Sequence, residues 1–155
     1  MANNNFGKPS SPRRVARRNL KKQFVADLES LSFEKLNENL HYYSPQSLVH
    51  PLFSSLCNSN EKVRWHGISL FGQVTSTIAE QDLEKARIIM RRCMWMLNDE
   101  SGGIGWGIPE AIAETLACHK TLAQEYAHIL VAYMREEGFY LALEALQRGL
   151  MLGIG

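Results

Sequence analysis

Apolar residues along this chain recur three and four positions apart, and nowhere do they alternate with period two over the length of a strand. That spacing stacks them on one face of successive helices, so the chain is expected to fold as an all-α protein. Leu20, Phe24, Leu28 and Leu31 form the first stripe, Phe33, Leu36 and Leu40 a short second one, and Leu48, Val49, Leu52, Phe53 and Leu56 a third. Helix starts are marked between them. Ser11-Pro12 and Ser44-Pro45 each set a capping hydroxyl before a proline, whose missing N–H costs nothing in a first turn. Ser32, Asn60 and Thr121 are further candidate caps. His41-Tyr42-Tyr43 interrupts the pattern, Pro51 is expected to kink its helix, and Gly138 to end another. Helices over about 81–97, up to Cys118 and over 139–151 bring the expected number to seven or eight.

A repeat organises these helices. Displacing the chain by 41 residues brings Leu56 onto Leu97, Asn58 onto Asp99, Asn60 onto Ser101, Val63 onto Ile104, Trp65 onto Trp106 and Phe71 onto Ile112. Two tryptophans and two turn residues coincide in one register, at a period proper to paired-helix repeats. The reading is a polar, disordered tail over 1–10, a basic helix and a short capping helix over 11–43, and repeats at about 44–79, 80–118 and 119–151 within 44–155.

The stretch Leu56-x-Asn58-x-Asn60-x-x-Val63-Arg64-Trp65-x-Gly67-x-x-Leu70-Phe71-Gly72 resembles a unit of the HEAT-repeat, armadillo-like α-solenoids. In that family an Asp or Asn turn precedes a Val-Arg pair and a small residue. The second unit, from Leu97-Asn98-Asp99, departs from the pattern by placing Gly105 where the arginine stands. The run from Met90 through Trp95 and Trp106 to Ala111 is similar to bacterial HEAT-like proteins of sulfate-reducing bacteria, a resemblance that carries no activity with it. It implies an α-α superhelix of antiparallel helix pairs, a concave face built by the second helix of each pair, and a protein or peptide partner. It also implies that Arg64 braces the repeats by pairing with a turn acceptor such as Asp99. Leu152-Gly153-Ile154-Gly155 supplies no cap to the last helix, so the chain is expected to stop short and to leave a face open to self-association.

Charge is divided unevenly. Residues 1–22 carry seven basic groups and no acid, whereas the remaining 133 carry ten basic and sixteen acidic groups. The basic arm, with Arg13, Arg14, Arg17 and Arg18, is a candidate for anion or nucleic-acid contact, for a strap along the acidic body, or for a plain solvated tail. No apolar run reaches the length of a membrane span, and no secretory signal opens the chain. Cys57, Cys93 and Cys118 are odd in number and form no C-x-x-C pair, which points to buried free thiols in a reducing, cytoplasmic setting.

No catalytic, cofactor-binding or metal-ligating set emerges. The five histidines lack H-x-x-x-H spacing, no G-x-S-x-G elbow occurs, and the Gly102–Gly107 turn matches neither nucleotide fingerprint. That turn is either a helix start able to hold an anion or a tight connection between repeats. Trp106 within it and Trp65 in the equivalent position are either packing anchors or partner contacts. With Gly105, Glu110 and Glu114 they make the candidate partner-binding set, expected on or beside the second helices. Arg87, Arg91 and Trp95 repeat every four residues, a basic-aromatic stripe able to hold phosphate and stack a base. It is the second candidate surface, and its alternative is a solvated arginine edge around a half-buried indole.

Overall fold

The computed structural model describes residues 17–98 and 106–133, and every regular element among them is helical. In chain order these are α1 (Arg17–Ser30), α2 (Phe33–Asn39), a 3₁₀ turn (Leu40–Tyr42), α3 (Pro45–Leu56), α4 (Glu61–Gln81), α5 (Leu83–Leu97), α6 (Ile108–Cys118) and α7 (Lys120–Ala132). The expected last helix, the Ser11-Pro12 cap, Gly138 and most of the glycine-rich turn lie outside the described residues.

Local signals explain most of the helix starts. The Asn60 side-chain oxygen accepts from the backbone N–H of Lys62 at 3.0 Å and of Val63 at 3.4 Å. Ser32 caps α2 through Lys35 N–H at 3.3 Å, and Asp82 caps α5 through Glu84 and Lys85. Each satisfies donors that a helix start leaves unpaired. Two expectations are corrected. Ser44 precedes Pro45 as anticipated, but its hydroxyl turns to the Gln46 side chain at 3.2 Å and caps no backbone group. Thr121 lies inside α7; the cap is His119, whose Nδ1 accepts from Leu122 N–H at 3.3 Å. The extended backbone at His119 turns its imidazole back onto the helix start. With Nδ1 accepting, the neutral ring carries its proton on Nε2, which meets Glu80 Oε1 at 3.1 Å. Helix α3 continues through the buried Pro51.

Helix α4 is the hub and packs against α1, α3, α5 and α6. Its relation to α3 is antiparallel, since Gln46 bonds Gln81 at one end and Ser55 lies against Gly67 at the other. Its relation to α6 is parallel. Gly72 faces the Glu114 backbone and Ser76 Oγ donates to the Cys118 carbonyl at 3.1 Å, the same sequence offset four residues apart. Helices α5 and α7 also run parallel, joined by Arg87 with Glu125 and by Asn98 Nδ2 with the Tyr133 hydroxyl at 2.9 Å. The core between them holds Leu48, Leu52, Leu56, Phe53, Ile68, Phe71, Ile78, Met90, Ile108, Ile112 and Leu122.

The cysteines divide by environment rather than sharing one. Cys93 is fully buried, whereas Cys57 and Cys118 are exposed, and none is paired. They sit at the helix ends Cys57 and Cys118, where the backbone leaves the core, so the expectation of three buried thiols holds for Cys93 alone. Burial pushes the Cys93 thiol up to about 12. Native alkylation near neutral pH is therefore expected to label Cys57 and Cys118 and to spare Cys93 until urea unfolds the chain. Mass mapping that found Cys93 labelled as fast as the others would contradict its placement.

Candidate functional site

Parallel packing of α4 and α6 brings the starts of the two helices to one end of the molecule. Trp65 lies in the second turn of α4 and Trp106 immediately before α6. Both are exposed, at 40% and 43%. Near-equal exposure 41 residues apart means that neither indole is consumed by the core. Trp65 Nε1 donates to Glu61 Oε1 at 3.4 Å, a contact within its own helix. Gly107 takes φ +70° so that the chain can enter α6 against the carbonyl of Leu56, a left-handed turn that favours glycine. The turn between α3 and α4 is thereby seated on the start of α6.

Arg64 and Glu110 both lie at this end, near enough for the Arg64 charge to act on the Glu110 carboxyl. Arg64 Nη1 donates to the Asn58 carbonyl at 3.3 Å, bracing its own turn. Asp99, its expected partner, lies outside the described residues, as does Gly105. Glu110 occupies the first turn of α6, half-buried, with Oε2 buried and without a hydrogen-bond partner among the described residues. Burial raises the Glu110 carboxyl above its ordinary range, while its own backbone N–H and the Arg64 charge pull the other way. Glu114 is exposed one turn on, and its backbone is the surface against which Gly72 packs.

A carboxyl with a higher pKa folded than unfolded binds more protons in the native state. Its contribution to stability is complete below the ordinary carboxylate range and is lost as pH rises through the folded value. Glu110→Gln is accordingly expected to flatten the dependence of the urea midpoint on pH on the acid side of neutrality. An unchanged slope would mean that the carboxyl is solvated.

The second candidate surface lies on α5. Arg87 is held by Glu125 at 2.5 and 2.9 Å and reaches Glu84 at 3.5 Å, and Arg91 bonds Glu84 at 2.6 Å. These carboxylates keep both guanidinium groups firmly charged and already partnered. Trp95 is 67% exposed, not half-buried. Arg92 lies over the Phe53 ring at 3.9 Å from its centroid, and Ile88, at 55% exposure, stands two turns before Trp95. Sequence reading passed over Ile88 as a surface residue; its seven-residue spacing from Trp95 was the available signal. Of the basic arm, Arg17 and Arg18 form the first turn of α1, and Arg13 and Arg14 lie outside the described residues.

Among the described residues no group of three or more His, Cys, Asp or Glu side chains is placed to hold a metal ion, and no helix is long and apolar enough to cross a membrane. No family model matches the chain, and neither a curated protein nor a solved structure matches it.

Proposed function

We propose that this chain is a non-enzymatic helical-repeat module of HEAT-like architecture that binds a protein or peptide partner, with Trp65 and Trp106 at its contact surface. Support for the architecture comes from the parallel packing of α4 with α6 and from the side-chain bonds that tie α5 to α7 in the same sense, which is what successive helix pairs produce when laid side by side. Support for the role comes chiefly from one observation: two tryptophans 41 residues apart, both exposed, at the same end of adjacent parallel helices. A pair of large amphipathic rings in water is costly unless covered, and such rings carry much of the energy of protein interfaces. Arg64 and the half-buried Glu110 beside them supply a polar rim.

The test compares the wild-type chain with Trp65→Ala/Trp106→Ala. The double variant is expected to melt close to wild type, within about 1 kcal/mol, because neither ring belongs to the core. Its retention of protein partners is expected to fall at least tenfold, a loss of about 1.4 kcal/mol or more. DNA and RNA retention at low and moderate salt is measured in parallel on the wild type and on a variant with Arg13, Arg14, Arg17 and Arg18 all changed to glutamine. Nucleic-acid retention that falls steeply with salt and vanishes in the glutamine variant, with protein retention indifferent to both tryptophans, would replace this reading by a nucleic-acid-binding one.

A further inference from the structure

The outward face of α5 carries a second contact surface of a different chemistry. Ile88 and Trp95 are 55% and 67% exposed and stand seven residues apart, on one stripe of the helix. Arg91 and Arg92 fall between them, and both are exposed. Their charges are unevenly balanced. Arg87 and Arg91 share Glu84, and Glu125 completes the set on the α7 side. Arg92 has no carboxylate partner among the described residues and is steadied on the Phe53 ring at 3.9 Å. Two apolar anchors therefore flank a central positive charge that no carboxylate among the described residues compensates.

We propose that this face of α5 docks an acidic amphipathic helix of a protein partner, which lays apolar side chains on Ile88 and Trp95 and sets a carboxylate against Arg92. The proposal rests on the reading of the chain as a protein-binding module and assigns the module a further surface and a partner chemistry. Spacing at i, i+3, i+4 and i+7 is that of a helix laid along a helix. Arg92 is held in place by Phe53 before any partner arrives, so less freedom is lost when a carboxylate binds it.

Two other occupants fit less well. In a symmetric antiparallel pairing of two copies, the dyad passes between Ile88 and Trp95, and Arg91 and Arg92 of one copy meet the same residues of the other. Burying those like charges together opposes the dimer. A nucleic acid needs several free cations for its phosphates, but Arg87 and Arg91 are already held by Glu125 and Glu84, and phosphates would gain nothing from Ile88.

The test titrates the full chain with a fluorescent Leu/Glu amphipathic peptide of about 18 residues, five helical turns. A matched Leu/Lys peptide and a single-stranded oligonucleotide are run beside it. The Leu/Glu peptide is expected to bind and the Leu/Lys peptide not to, and the oligonucleotide is expected not to displace the Leu/Glu peptide. Trp95→Ala and Arg92→Glu are each expected to weaken binding by about tenfold or more, and thermal melts of both variants verify that they fold. Trp65→Ala/Trp106→Ala is expected to leave it unchanged. The inference is overturned if the Leu/Glu peptide does not bind, if binding survives Trp95→Ala and Arg92→Glu, or if the oligonucleotide displaces the peptide. It is also overturned if sedimentation shows a wild-type dimer that Trp95→Ala dissociates. Peptide binding that is lost only in Trp65→Ala/Trp106→Ala overturns this surface while leaving the proposed binding role in place. Loss of the role itself would show instead as protein retention indifferent to all three tryptophans.

Discussion

Phe71→Ala is expected to remove about 3–5 kcal/mol of folding stability. Phe71 lies on α4 at 1% exposure, and its ring meets that of Phe53 edge-on at 5.1 Å. Truncation deletes the buried ring's transfer energy and leaves a cavity between α3 and α4 that the surrounding side chains fill only in part. Since single domains hold only about 5–15 kcal/mol in total, the variant should sit near the edge of folding at body temperature. Urea unfolding followed by circular dichroism checks this, with a lower midpoint and an unchanged m-value as the expected result. Phe53→Ala in the same background should add less than it costs alone, because the edge-on pair is then already broken. A loss under about 1 kcal/mol for Phe71→Ala would mean that α3 and α4 are not packed as described.

Gly72→Ala is the second large effect, and here two terms oppose each other. In a helix interior alanine is favoured over glycine by about 1 kcal/mol. At this position, however, an added Cβ would lie 2.8 Å from the Glu114 carbonyl carbon and 2.9 Å from its oxygen. Those are backbone atoms of α6 and cannot swing aside as a side chain would. Relief requires moving α4 and α6 apart along much of their length, which costs about 1–3 kcal/mol or more. The steric term is expected to win, so Gly72→Ala is destabilising and Gly72→Val more so. Thr77→Ala, at an exposed position of the same helix, serves as the control and is expected to be near neutral. If Gly72→Ala proved stabilising, the two helices would have to be farther apart than the close approach at Gly72 requires.

The way each element was legible differs. Helix starts at Ser32 and Asn60 follow from side chains acting on backbone groups two or three residues away, and that at Pro45 from a ring already fixed for a first turn; sequence spacing reports such local effects directly. The cap of α7 escaped because an imidazole nitrogen is an uncommon cap, and its suitability depends on the extended backbone at His119 and on Glu80 arriving from α4. The register that aligned Trp65 with Trp106 has a counterpart in the contacts of Gly72 with Glu114 and of Ser76 with Cys118, which differ from it by one residue of offset.

The two candidate surfaces were legible to different degrees. Spacing alone placed Arg87, Arg91 and Trp95 on one face, but it could not reveal that Glu125 of α7 holds Arg87, nor that Arg92 turns instead to Phe53 of α3. Those partners are 38 and 39 residues away in sequence, and only the folded chain brings them close. The same holds for Glu110, whose place at a helix start is plain from Pro109, while the burial of Oε2 shows only in the folded chain.

By itself, the sequence determined that the chain is helical, where most helices begin, and which side chains share a helix face, because these depend on periodicity and on contacts within a single turn. Only the tertiary structure decided which tryptophans remain in water, which arginines are already neutralised and which cysteine is shielded, because burial and charge pairing are set by helices far apart in the chain.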